Sequence, residues 1–359
     1  MKQFWHKYHR WIIALSTVLV LAGGLAAAYY YMLDEEEGPV EVTSAWPEAN
    51  LERVVDKPAS VPRWPLTGLE AASEKAISRR PVSVKIENSP QSRPQWGIQR
   101  ADVVYETVTE GGITRFNAIF HSDISGEVGP VRSARLSDVT VVPQYGALFA
   151  FSGASSTVGA RVNSAGIPNL SQDAGVSYPY YRKAGRRGPH NLWMSFGKLL
   201  EEAKRRDMRT TADIRAFQFE RSSADATVTV TEVFVPFSDA NRVTWTYDEG
   251  SDRYLRVNNG SVHKDAETGK QITARNVVVM RAKYRVASRD KFGSTTYSIA
   301  LTGKGQVSVF RDGQRFDGQW VADEKNPPKF VDADGNQIKL SPGNTWFQVI
   351  APNVNITMK

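Results

Sequence analysis

Between Ala101 and Arg135 this 359-residue chain crowds carboxylates, arginines and glycines: Asp102, Glu106 and Glu110, then Gly111-Gly112-Ile113-Thr114-Arg115, then Gly129-Pro130-Val131-Arg132-Ser133-Ala134-Arg135. Two kinds of chemistry suit that mixture. A positioned carboxylate acts as a general acid or base, which makes Glu110 and Glu106 the candidate catalytic groups. Arginine forks pair bidentately with phosphate and carboxylate oxygens, so Arg115, Arg132 and Arg135, with the hydroxyls of Thr114 and Ser133, are candidate ligand-binding groups.

Spacing constrains the first chemistry. Read as a strand, residues 102–110 put Asp102, Glu106 and Glu110 on one face with Val104 and Val108 between them. Glu106 and Glu110 then stand about 13 Å apart, beyond the roughly 5 to 9.5 Å of paired glycosidase carboxylates. A two-carboxylate mechanism therefore needs a bend at Gly111-Gly112 or a partner from elsewhere. A buried structural ion pair between one Glu and Arg115, Arg132 or Arg135 explains the same residues without any substrate. The Gly-Pro turn before Arg132 predicts a helix over 133–142 with Ser133 as its N-cap and amides facing an anion; a capped helix with surface arginines fits equally.

A second basic segment, Gly185-Arg186-Arg187-Gly188-Pro189-His190-Asn191, leads toward a helix starting near Ser195. His190 and Asn191 there would orient a polar ligand or serve as structural hydrogen-bonding groups. Gly153-Ala154-Ser155-Ser156-Thr157 lacks the second glycine of a nucleophile elbow, so neither Ser155 nor Ser133 reads as a nucleophile. His121, His190 and His263 have no HExxH spacing and no cysteine partners, so no metal site is expected, and no cofactor motif is present.

The elements that must hold these residues fall into two textures, giving an α+β fold. Residues 81–222 read as a mixed α/β sheet domain, with strands at 82–87, 103–109, 116–121 and 147–151 and a helix at 195–206. Residues 223–359 read as a predominantly antiparallel β domain of short strands, with Asn258-Asn259-Gly260, Arg311-Asp312-Gly313 and Ala333-Asp334-Gly335 as turns. Residues 34–80 are proline-punctuated and read as an extracytoplasmic linker.

Ahead of the linker, Trp11 to Leu33 is an uncharged run of 23 residues, close to the roughly 20 that cross a bilayer. Lys2, Lys7 and Arg10 precede it and Asp34 to Glu37 follow, so the positive-inside bias puts residues 1–10 in the cytoplasm and the main body outside. The alternative is a secreted protein whose leader is cleaved near Ala26-Ala27-Ala28. The chain has no cysteine, which excludes disulfides and thiol chemistry. The net charge of +7 becomes +8 once residues 1–37 are set aside. Outside the cell, wall polymers and lipid headgroups are nearer polyanions than nucleic acid, which the topology disfavours.

Several ordered motifs carry a family resemblance. Arg80-Pro81-Val82-Ser83-Val84-Lys85-Ile86-Glu87-Asn88, Arg93-Pro94-Gln95, Ala101 to Glu106, Glu110 to Phe116, Gly129 to Arg135 and His190-Asn191 resemble the YerB-like family of bacterial lipoproteins. Trp245-Thr246-Tyr247-Asp248, His263-Lys264-Asp265 and Pro342-Gly343-Asn344-Thr345-Trp346 are similar to its C-terminal domain. The resemblance spans about residues 79–352 and implies an exported, membrane-attached, two-domain protein without an assigned reaction. One departure is that Leu21-Ala22-Gly23-Gly24 has Gly24 where a lipidated cysteine would stand, so the helix itself would be the anchor.

The sequence thus leads to an anchored protein that binds an anionic or glycan envelope component through a cleft of Glu106, Glu110, Arg115, Arg132, Arg135, His190 and Asn191. Its alternatives are a hydrolase or transferase on such polymers using Glu110, and a scaffold that docks on another envelope protein.

Overall fold

Alternating apolar side chains at Val82, Val84 and Ile86 and at Val104, Phe116, Ala118 and Phe120 leave every second position free to be polar, and the fold uses both faces of the resulting sheet. The computed structural model describes residues 61–220, 228–289 and 295–359. The expected span from Trp11 to Leu33 lies outside the described residues. Among the described residues no helix is long and apolar enough to cross a membrane.

The strands of the first half are β1 (Val82–Glu87), β2 (Val103–Val108), β3 (Thr114–Phe120), β4 (Glu127–Val128), β5 (Leu148–Ala150), β6 (Tyr180–Arg182) and β7 (Leu192–Ser195). Its helices are α1 (Glu74–Ile77), α2 (Asp138–Gln144), α3 (Ser156–Ser164) and α4 (Phe196–Arg205). The second half supplies β8 (Val228–Thr229), β9 (Glu232–Ser238), β10 (Asn241–Asp248), β11 (Arg253–Asn258), β12 (Ser261–Val262), β13 (Thr273–Ala274) and β14 (Asn276–Arg281). Then follow β15 (Tyr284–Arg289), β16 (Thr295–Ile299), β17 (Gly303–Arg311), β18 (Gln314–Ala322), β19 (Lys329–Val331), β20 (Thr345–Ile350) and β21 (Thr357–Met358).

A mixed α/β half followed by a mainly antiparallel β half is what the sequence predicts. The two halves share one ten-stranded sheet, ordered β19-β18-β17-β14-β20-β2-β3-β1-β5 with β8 paired off that path to β18, because β20 returns to pair in parallel with both β14 and β2. One face carries Val103, Tyr105, Ile119 and Phe347 against α2 and α3. The other packs Val104, Phe116 and Trp346 against the six-stranded sheet β12-β11-β10-β9-β21, to whose β11 the short β13 also pairs, with its Trp245 and Tyr254. The molecule is therefore three layers deep around the β2–β3 pair. At the Asn259-Gly260 and Asp312-Gly313 turns both residues have positive φ, the geometry of a two-residue hairpin.

Within the stretch read as a linker, Trp64 and Leu66, two residues able to dock on the domain, pack on the body: Leu66 is fully buried, and the Trp64 ring meets His121 edge-on at 4.9 Å. Two expectations change. The helix expected over 133–142 begins only at Asp138, and Ser133 is not its cap, because residues 130–132 are drawn into bridges with β1 and β7. The 185–191 loop runs into β7, not directly into a helix.

Candidate functional site

On β1 and β3 the polar positions form a row on the helix-facing side: Lys85 lies opposite Asn117, and Glu87 opposite Arg115. Lys85 Nζ meets Asp138 at 2.7 Å with both side chains fully buried, and Asn117 donates to the same carboxylate at 2.9 Å. Burial lowers the Lys85 pKa, and Asp138 opposes that shift. The Asp138 carboxylate also accepts from the Arg135 backbone amide at 2.7 Å, which fixes the segment 129–135 over the row.

That segment brings the arginines together. Arg115 Nη1 and Arg135 Nη1 both donate to the Ser133 carbonyl at 3.1 Å. Arg135 also grips Glu110, with Nε and Nη2 at 3.1 and 2.6 Å from one carboxylate oxygen. Glu110 reaches this position because Gly111 and Gly112, with φ of +66° and +71°, turn the chain between β2 and β3. A Cβ at Gly112 would press on Ser238, whose hydroxyl donates to the Gly112 carbonyl. Burial pushes the Glu110 carboxyl up, but Arg135 outweighs it and holds the group below its ordinary pKa.

Arg115 is left incomplete. It is 5% exposed, its Nε is buried without an acceptor, and it forms no ion pair with any described carboxylate. Burial, then the charge of Arg135, lowers its pKa to about 9, so it remains a cation at neutral pH. It lies against a cleft of about 670 Å³ together with Glu110, Ser133 and Arg135. The other walls are residues 153–158, at the start of α3, and Ser288, Arg289 and Thr296 of β15 and β16.

The other candidates fall elsewhere. Glu106 is fully buried on the opposite face of β2, paired with Arg256 at 2.9 Å instead of with Arg115, Arg132 or Arg135. It also accepts from Thr114 at 2.7 Å and Asn241 at 3.1 Å, so Thr114 belongs to this inner network. The strand period explains the separation: Glu106 stays on the Val104 face, whereas the turn carries Glu110 off it. Asp102 caps the end of β3, accepting from Ser122 N at 2.8 Å and from His121 N.

Arg132 turns toward Glu87 at 3.4 Å, and His190 Nδ1 lies 3.0 Å from both oxygens of that carboxylate. His190 therefore pins its loop to β1. Asn191 braces the same loop from within, donating to the carbonyls of Lys183 and Arg186 at 3.3 and 3.1 Å. Four participants were not singled out from the sequence: Glu87, Asp138, Arg256 and Arg289. The Ser83-Lys85-Glu87 alternation was a usable signal for the first. Arg256 lies in Tyr254-Leu255-Arg256, a motif similar to the family's C-terminal domain, but its pairing had no local signal, since its partner is 150 positions away. Among the described residues no cluster of three or more His, Asp or Glu side chains could hold a metal.

Comparison with known proteins agrees with the sequence motifs. The family descriptions "Protein of unknown function (DUF3048) N-terminal domain" and its C-terminal counterpart match residues 66–209 and 233–347. The chain is 30% identical over 292 residues to "Putative lipoprotein YerB" of Bacillus subtilis (strain 168), covering 80% of this chain and 85% of that protein. It superposes on the crystal structure of the YerB protein from Bacillus subtilis with a TM-score of 0.74 at 28% identity, over 82% of this chain and 99% of that one.

Proposed function

We propose that this chain, which belongs to the YerB-like family of DUF3048 proteins, is a membrane-attached extracytoplasmic protein that binds an anionic component of the cell envelope in the Arg115 cleft. The apolar run from Trp11 to Leu33 and the relative's description as a lipoprotein support the attachment. With no cysteine to carry a lipid, the apolar run itself would be the anchor.

The observation that carries the binding reading is the buried Arg115 guanidinium, whose Nε has no acceptor. A buried cation is costly unless paired and hydrogen-bonded, and a ligand oxyanion would supply both. Arg135 extends the same surface, although Glu110 already occupies part of its fork. A hydrolase using Glu110 as general acid draws less support, because Arg135 favours the ionised carboxylate and thus opposes proton donation.

Isothermal titration with inorganic phosphate tests the reading. The wild-type chain should bind phosphate saturably, and Arg115→Lys and Arg135→Gln should each weaken it by about tenfold, the factor for one lost charged hydrogen bond of ~1.4 kcal/mol. Unchanged affinity in both variants, with the fold retained, would overturn it.

A further inference from the structure

The cleft is larger than one anion requires, and its arginines come from separate elements of the fold. Its volume of about 670 Å³ is that of a pocket for an extended organic ligand, within the roughly 300–1,000 Å³ usual for such sites. Arg115 and Arg135 stand on the wall built from β3 and the 129–135 segment. Arg289 stands on the wall made by the β15–β16 hairpin.

That hairpin is unusual in this fold. It forms a two-stranded sheet of its own, and residues 285–289 are all exposed. Its root is fixed: Tyr284 Oη donates to the Val349 carbonyl at 2.7 Å, and the Tyr284 and Tyr297 rings meet at 6.0 Å. The Arg289 backbone pairs with Thr295 across the hairpin, but its guanidinium makes no ion pair or hydrogen bond with any described residue. The fold thus presents, beside a cleft that already contains a buried, incompletely paired guanidinium, a second one whose side chain has no partner among the described residues. Ser155, Ser156 and Thr157 add hydroxyls along the same cleft.

We infer that the ligand is a phosphate-bearing polymer strand, with Arg115 and Arg135 on one phosphate and Arg289 on another; this rests on the anion-binding reading above. The Arg115 and Arg135 forks converge on one point, the Ser133 carbonyl; the tetrahedrally arranged oxygens of a phosphate accept from two forks at different angles, whereas a flat carboxylate is filled by one. Repeated charges along a strand match arginines supplied to one cleft by separate elements, so one arginine can be lost without abolishing the other contact.

Affinities for inorganic phosphate, a linear polyphosphate and poly-L-glutamate, measured at fixed salt in wild type, Arg289→Ala and Arg285→Ala, test this. Arg289→Ala should weaken polyphosphate binding at least fivefold while changing phosphate binding less than twofold. Arg285→Ala, on the same hairpin outside the cleft, should change neither. Polyphosphate affinity that is indifferent to Arg289, or poly-L-glutamate bound as tightly as polyphosphate, would overturn the polymer inference alone. Failure of the wild type to bind either phosphate or polyphosphate would instead remove the anion reading beneath it.

Discussion

Glu106 of β2 and Arg256 of β11 lie 150 positions apart in the chain and meet at 2.9 Å between the two sheets, with neither side chain exposed. Arg256 is boxed by aromatic rings, its guanidinium carbon 4.9 Å from the Trp346 centroid and 5.1 Å from that of Trp245. Its Nε donates to His263 Nδ1 at 2.9 Å, and His263 Nε2 donates in turn to Gln95 at 2.6 Å. Burial lowers the His263 pKa, so the ring is neutral and this tautomer serves both bonds. The charge joins the halves of the molecule.

Breaking that pair should destabilise the protein without touching the cleft. Glu106→Ala is expected to cost about 3–5 kcal/mol, the usual penalty of an uncompensated buried charge. Adding Arg256→Met should then cost much less than it does alone. Urea unfolding of the two single variants and the double variant gives the coupling energy. Additive losses would mean that the two side chains act independently.

Glu110 has the opposite expected signature. It competes with a ligand for Arg135, so Glu110→Gln should tighten phosphate binding by about 1.4- to fivefold, which corresponds to the ~0.2–1 kcal/mol of a partly exposed ion pair. Titration calorimetry reads this directly. Weaker binding would show that Glu110 itself contacts the ligand.

Asp102 should titrate late. Burial raises its pKa to about 6 from 3.8, even though Ser122 and His121 donate to it. The folded state holds the proton more tightly than the unfolded state does. This group's contribution therefore favours folding most below about pH 4 and is lost as pH rises to about 6, a swing of roughly 3 kcal/mol. Carboxyl carbon NMR of Asp102 should show a midpoint near pH 6, and a midpoint near 4 would refute the shift.

The Glu87–His190 contact should control the 183–191 loop and leave the cleft floor alone. His190→Ala is expected to speed amide exchange in that loop several-fold while Arg115 and Arg135 keep their contacts. Exchange rates that do not change would mean that the internal Asn191 bonds suffice to hold it.

The strands around the site were legible because Val82 to Glu87 and Val103 to Val108 are rich in β-branched residues and lie between nearby prolines and glycines. The layering was not. Whether Glu106 faces a cleft or a core depends on which sheet covers β2, and that sheet comes from residues beyond 230. The helix at Ser133 failed for a related reason. Its caps and spacing are local signals, but Pro130 to Arg132 are held by backbone bonds to Glu87, Leu192 and Lys85, which local signals do not contain. The arginines of the site were visible by type. Their division, with Arg115 and Arg135 in the cleft and Arg132 on Glu87, follows from alternate side-chain directions fixed only by those bonds.

The Nε proton of Arg115 gives one nitrogen–proton NMR correlation, and it belongs to the buried atom that lacks an acceptor. Adding inorganic phosphate should shift that correlation saturably, while Arg93 Nε, already donating to Asn88 at 3.1 Å, stays in place. An Arg115 Nε signal that does not move with phosphate, in a chain whose other correlations show it folded, would contradict the assignment of this cleft to an anion.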